Sequence, residues 1–445
     1  MYFPRDIDNE LIDWKLSDDR KPLMIRGARQ VGKSSSVKNL SKSFRHFIEI
    51  NFDENPRYVQ LFSKGFSVHE VCAQISLLSN TPVVPGDTLL FLDEIQACIP
   101  AISQLRYFYE KIPELHVISA GSLLEFALSE IPSFGIGRVR SLFMYPLSFS
   151  EFLRALGEEE LAAELQRSSI GRPLFELVHE KLLLYYKKFL TIGGMPEAVN
   201  TFVRSGDLLA VQRVLNDLVI AVQADFAKYK TRVSPARLQE VFNAVASQTG
   251  QKFTYSFPNS TQSIAQVKEA LALLKIAGLI IAVTHSSANG LPLGAAVNVK
   301  KTKYLIFDTG IFQRMQGLDI GELMLADDLQ VVNKGSIAEL HVGLELLKSE
   351  SCYQKAELFY WQRESKNSQA EVDYVLQSDG EIFPLEVKSG KRGSMQSLFL
   401  FLQEKKRSYG CRLSLENFSI YGQVLVVPLY AACRLRMLLK HFSGS

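Results

Sequence analysis

Apolar positions fall into short unbroken runs near the start of the chain and into helical spacing further on. Residues 22–26 and 88–92 are dominated by apolar side chains, and 116–119 carries Val117 and Ile118 at its centre. Runs of that length, bounded by polar or Gly-containing segments, read as strands buried on both faces. Residues 47–52 make a further strand, and 35–43, free of Gly and Pro, read as a helix. Strands alternating with helical stretches predict an α/β fold with a mostly parallel sheet over 21–148. Residues 1–20 read as a lead-in with a short helix around 10–16.

From 150 to about 229 the apolar residues recur every three or four positions, at 161–165, 175–190 and 211–226, which predicts helices. Gly193-Gly194-Met195-Pro196 interrupts them. This stretch reads as a helical lid over a ligand on the preceding sheet. Residues 236–247 and 264–276 predict two more helices, and 279–283 and 303–307 two strands around a Ser-, Asn- and Gly-rich loop at 286–294. Helices followed by a hairpin predict a winged helix, a module that binds DNA in some proteins and serves as a lever or protein contact in ATPases. Its recognition-type helix carries Lys268 and Lys275 but also Glu269. The remainder predicts a helix at 335–348, strands at 358–362, 371–376 and 381–388, a turn at Asp379-Gly380, a helix at 395–405 and a closing strand at 423–427. The predicted domains are 1–149, 150–230, 231–318 and 319–445.

Between the first predicted strand and helix lies Gly27-Ala28-Arg29-Gln30-Val31-Gly32-Lys33-Ser34, followed by Ser35. The pattern G-x-x-x-x-G-K-S is the phosphate-binding loop of P-loop NTPases. Its glycines let the backbone approach phosphate oxygens, and successive N–H groups form an anion nest at a helix N-terminus. Lys33 is expected to bridge the β- and γ-phosphates and Ser34 to ligate Mg²⁺. The strand at 88–92 ends in Asp93 and Glu94. Asp93 is expected to hold Mg²⁺ through water and Glu94 to orient the attacking water. Ser122, after the 116–119 strand, is a candidate γ-phosphate sensor. Arg138 is a candidate for stabilising the transition state, including that of a neighbouring copy.

Length sets the domain count: 445 residues exceed one core. The apolar fraction of 47% suits an ordinary globular protein, and a net charge of +3 does not by itself demand nucleic acid. Cys72, Cys98, Cys352, Cys411 and Cys433 form no C-x-x-C pair, and the chain begins without signal-peptide form or any membrane-spanning apolar stretch. A reduced, cytoplasmic protein with no membrane partner is expected.

A second constellation lies near the C-terminus. Asp373 and Glu386 sit on strands joined by a tight turn, so their carboxylates can converge; Glu386 and Lys388 share a strand face. Two acids can hold Mg²⁺, with Glu339 on the preceding helix completing the shell and Lys388 polarising water. This is the layout of metal-dependent phosphodiester hydrolysis. From Glu381 to Ser445 there are ten Lys and Arg against four Asp and Glu, a surplus that favours a phosphate backbone as partner.

Taken together, the chain resembles a prokaryotic family of AAA-type ATPases carrying a C-terminal domain of unassigned function with a PD-(D/E)xK nuclease-like fold. The resemblance rests on the phosphate loop, Leu92-Asp93-Glu94-Ile95-Gln96, Gly137-Arg138, Pro146-Leu147-Ser148-Phe149, Gly193-Gly194-Met195-Pro196-Glu197, Phe307-Asp308-Thr309-Gly310, Asn333-Lys334-Gly335, Ala338-Glu339-Leu340 and Glu371-Val372-Asp373. It implies an ATPase core, a helical lid, a winged helix and the nuclease-like domain. It also implies that Gly194 and Pro196 touch nucleotide. Ser122 departs from the Asn that many AAA proteins have there. Two activities follow: Mg²⁺-dependent ATP hydrolysis, coupled either to a C-terminal domain that binds or cuts DNA, or to one that has lost catalysis and serves regulation and partner binding. A homo-oligomer or another protein is the further expected partner.

Overall fold

The computed structural model describes residues 2–122, 124, 128, 137–229, 233–256, 262–318, 335–364, 370–391, 393–440 and 442. Asn333 and Lys334 lie outside them. Contacts divide the chain into two units: 1–145 with 276–278 and 351–355, and 146–275 with 279–350 and 356–445.

The first unit is built on a parallel sheet of β1 (Leu23–Arg26), β2 (His46–Asn51), β3 (Thr88–Asp93), β4 (His116–Ala120) and β5 (Arg140–Phe143), in the order β2-β3-β4-β1-β5. β3 and β4 are buried at every position, which is why they read as continuous runs rather than alternations. Met24, Ile48, Leu90, Leu92, Ile102, Leu105 and Phe108 belong to one apolar core. After β1 the chain crosses to the far edge at β2, and after β4 it returns to the other side of β1. In open α/β sheets ligands bind beyond the strands' carboxyl ends, where chain directions diverge in this way.

The second unit combines helices with a sheet of eight strands: β6 (Ile280–Ser286), β7 (Val297–Ile306), β8 (Leu358–Gln362), β9 (Glu371–Ser378), β10 (Glu381–Val387), β11 (Gly410–Ser414), β12 (Ser419–Tyr421) and β13 (Val424–Pro428). Their order is β12-β13-β11-β10-β9-β8-β6-β7. The helices Pro235–Ser247 and Ile264–Ile276 and the β6–β7 hairpin stand where the winged helix was expected. However, β6 also pairs parallel with β8, so the hairpin and the C-terminal strands form one continuous sheet. That pairing satisfies a hairpin edge that would otherwise stay open. It also means that no break in the sheet falls at 318/319.

The helix Gly335–Lys348 is buried from Ile337 to Leu347. Its buried Glu345 and His341 each find a partner, although His341 Nδ1 is left without one. Phe149 N–H donates to Glu345 Oε2 at 3.2 Å, and His341 Nε2 lies 3.1 Å from the Leu429 carbonyl. Burial pushes His341 down to about 3, so the ring is neutral. Among the described residues no helix is long and apolar enough to cross a membrane.

Candidate nucleotide-binding site

The loop between β1 and the helix Lys33–Ser41 has the backbone its glycines permit. Gly27 has φ +149°, and a Cβ there would lie 2.1 Å from the Met144 carbonyl oxygen. Gln30 and Gly32 also take positive φ, and Gly32 caps the helix. Gly27→Ala should therefore cost about 2 kcal/mol, lowering the melting temperature of the first unit by about 4–8 °C in a thermal scan.

Lys33 is 8% exposed, and its ammonium donates to the carbonyls of Gly27 at 2.9 Å and Ala28 at 2.7 Å. The free loop thus closes on its own lysine. Burial pushes Lys33 down to about 8, against the upward pull of Glu94 and Asp93. Ser34 Oγ donates to Asp93 Oδ2 at 2.8 Å. Burial raises the Asp93 carboxyl, while the bonds from Ser34 and from Glu94 N–H, 3.0 Å from Oδ1, lower it. So Lys33, Ser34, Asp93 and Glu94, drawn from two segments, meet at the carboxyl edge of the sheet.

Glu94 sits in the left-handed region at φ +48° and bonds the side-chain amide of Gln96. Gln96 Oε1 is buried without a hydrogen-bond partner, and a Cβ at Gly121 would lie 2.0 Å from it. Ser122 follows; its hydroxyl is likewise buried and unpartnered. Gln96 was quoted only as part of a motif, yet it fixes the Glu94 carboxylate. A second group that sequence reasoning missed is Arg5, 8% exposed, which donates to the Val31 carbonyl at 2.9 Å and the Tyr145 carbonyl at 2.7 Å. Tyr2 OH lies 3.1 Å from Ser36 Oγ on the loop's helix. The lead-in thus braces the loop from behind. Ala28 and Val31 are buried, Arg29 is half-buried, and Gln30 and Ser35 are exposed.

Arg138 is placed differently. β5 runs parallel to β1 with Arg140 opposite Leu23, the first residue of β1. Arg138 therefore precedes the amino ends of the strands, while the phosphate loop leaves from their carboxyl ends. It pairs with Glu110 at 3.3 Å and is half exposed. This geometry leaves Arg138 no route to its own chain's loop. Gly194 and Pro196 belong to the second unit. The Gly194 N–H is taken by Asp308 Oδ2 at 2.7 Å, its carbonyl accepts from Leu147 N–H at 2.7 Å, and Pro196 begins the helix Pro196–Ser205. Within the unit, the single amide donor of Gly194 is already used.

The predicted second cluster does assemble on the large sheet, with two additions. The β9–β10 register, ending at Tyr374 opposite Leu385, brings Asp373 and Glu386 side by side. Asp373 Oδ2 accepts from Val387 N–H at 2.7 Å, and Lys388 bonds Glu386 Oε1 at 2.6 Å. Glu386 Oε2 is buried and unpartnered. Glu339 does not face a vacancy: Lys303, on β7, bonds it at 2.8 Å and Glu371 at 2.6 Å. Burial raises Glu339 to about 8 and Glu386 to about 7; Lys303 lowers the first and Asp373 raises the second. Burial also raises Asp373. Among the described residues no group of three or more His, Cys, Asp and Glu side chains is placed to hold a metal ion.

The first unit is thus a parallel α/β sheet of the P-loop NTPase type, with loop and acidic strand converging. Its sequence agrees: residues 19–153 match the family model described as AAA domain. Residues 184–321 and 334–432 match two models described as domains of unknown function, DUF8612 and DUF4143. No curated protein matches the chain. Among solved structures, it is similar to a Walker-type ATPase of Pyrococcus abyssi, at 16% identity over 71% of this chain and 96% of that one, with a TM-score of 0.42. It is also similar to the S. cerevisiae Hsp104–ADP complex, at 12% identity over 62% and 38% with a TM-score of 0.27. For C. elegans PCH-2 the figures are 15%, 61% and 69%, and 0.25.

Proposed function

We propose that the chain is an ATP-hydrolysing switch whose phosphate loop, residues 27–35, holds the triphosphate. The observation that carries this reading is the buried Lys33 ammonium, held by loop carbonyls and flanked by Asp93 and Glu94. An incoming phosphate offers Lys33 a stronger, charged partner than two carbonyls. Loop N–H groups and the helix N-terminus bind the remaining oxygens. Ser34 and Asp93 are hard oxygen donors already in contact, so the pair fits Mg²⁺. The metal would supply charge neutralisation for the β- and γ-phosphates. Glu94, steadied by Gln96, accepts the proton of the attacking water. Ser122, its hydroxyl buried and unpartnered, is the group assigned to reading the γ-phosphate. Arg138 serves across copies, and a nucleotide contact from Gly194 or Pro196 has no support within its unit.

In the second unit Lys303 already bonds Glu339, one of the three carboxylates expected to hold a metal, together with the neighbouring Glu371. This favours the reading in which that unit serves regulation or partner binding over one in which it cuts DNA.

Proton linkage tests the loop directly. Lys33 titrates near pH 8 in the free protein, and a bound triphosphate raises it. Below pH 8 the lysine is already charged; above it, binding must take up a proton. ATP affinity should fall by up to about tenfold per pH unit above 8. Calorimetry near pH 9 in buffers of different ionisation enthalpy should show proton uptake, absent in Lys33→Arg. Equal heats for the wild type in all buffers would remove Lys33 from the site.

A further inference from the structure

The acidic cluster of the second unit comes with its own cation. Lys303 is fully buried, and its position is set by main-chain pairing on both sides: opposite Val283 across the hairpin, and by a bridge to Lys252. It is a fixed part of the sheet rather than a surface lysine that has swung in. The Tyr360 ring lies 5.0 Å from the ammonium, a further favourable contact. Gly250 crowds the other flank of Glu339, where a Cβ would lie 2.9 Å from Oε2.

Glu371 explains how the lysine is gripped. It lies two residues before Asp373 on β9, so both carboxylates point to one face. Glu339 reaches the same lysine from its helix. The Lys303 ammonium stands between Glu339 and Glu371. A dication beside a buried, fixed ammonium suffers repulsion that water cannot screen.

We propose that Lys303 is the resident counter-ion of Glu339 and Glu371 beside Asp373, occupying the carboxylates that would complete a divalent metal's shell, and that the second unit therefore binds no such metal there. This deepens the regulatory reading of that unit and is independent of the ATP site. The sequence order of helix Glu, strand Asp and E-V-K is retained, but the cation is a side chain. The lysine is then a structural joint between β7, β9 and the helix Gly335–Lys348. No step of phosphodiester hydrolysis passes through it.

The test uses Mn²⁺ as probe on the full chain without nucleotide, read by electron paramagnetic resonance. The wild type should show no Mn²⁺ binding that Asp373→Asn removes. Lys303→Ala should gain Mn²⁺ binding by at least about tenfold, and the double variant with Asp373→Asn should lose the gain. Wild-type Mn²⁺ binding abolished by Asp373→Asn would overturn the proposal. So would a folded Lys303→Ala protein that takes up no Mn²⁺. If Lys303→Ala does not fold, the comparison of wild type with Asp373→Asn decides alone. None of these outcomes depends on whether the first unit hydrolyses ATP.

Discussion

Glu94→Gln should lower ATP turnover by about 10²–10⁴-fold and leave ATP bound, because the amide keeps the shape of the side chain but cannot accept a proton. The magnitude is that of one general base. The effect should appear in kcat, since the free protein shows Glu94 bonded to Gln96 rather than built into the phosphate nest. Single-turnover phosphate release alongside equilibrium ATP binding separates the two quantities. A variant that turns over ATP at the wild-type rate would remove Glu94 from the chemistry. The positioning residue has its own signature: Gln96→Leu should reduce kcat by about tenfold with unchanged affinity, as expected for one charge-assisted bond.

Lys33→Ala should weaken ATP binding by about 100-fold, the equivalent of about 2.7 kcal/mol. Two opposing effects enter. The wild-type ammonium must leave the Gly27 and Ala28 carbonyls before it meets phosphate, which offsets part of its gain. Its desolvation, however, is already met in the free protein, as its downward-shifted titration shows. The net loss is therefore that of one strong ion pair and its hydrogen bonds. Competition with a fluorescent nucleotide measures it. Unchanged affinity would mean that the nucleotide sits elsewhere.

How much could be read from the chain follows from the range of the interactions. The phosphate loop was legible because its requirement is local: Gly27 and Gly32 must take positive φ, and β1 and the helix at Lys33 flank them directly. The acids at 93 and 94 were legible because a fully buried strand ends where they begin. Arg138, named as a transition-state candidate that includes a neighbouring copy's site, precedes β5 and so lies at the amino ends of the strands. Arg5 lies 26 and 140 residues from its two acceptors, and no local pattern marks such a brace. Lys303 was missed for a related reason. It sits in a strand assigned to one domain, while its carboxylates were assigned to another, and the β6–β8 pairing brings the two together. The helix Glu, strand Asp and E-V-K pattern was visible, but the charge that completes it came from outside the pattern.

The most direct measurement is a crystal structure of the Glu94→Gln protein grown with ATP and Mg²⁺. The expected result is a triphosphate lodged in the turn of residues 27–34, with the Lys33 ammonium released from the Gly27 and Ala28 carbonyls onto phosphate oxygen. A turn left empty at saturating ATP, with Lys33 still closed on those carbonyls, would contradict it.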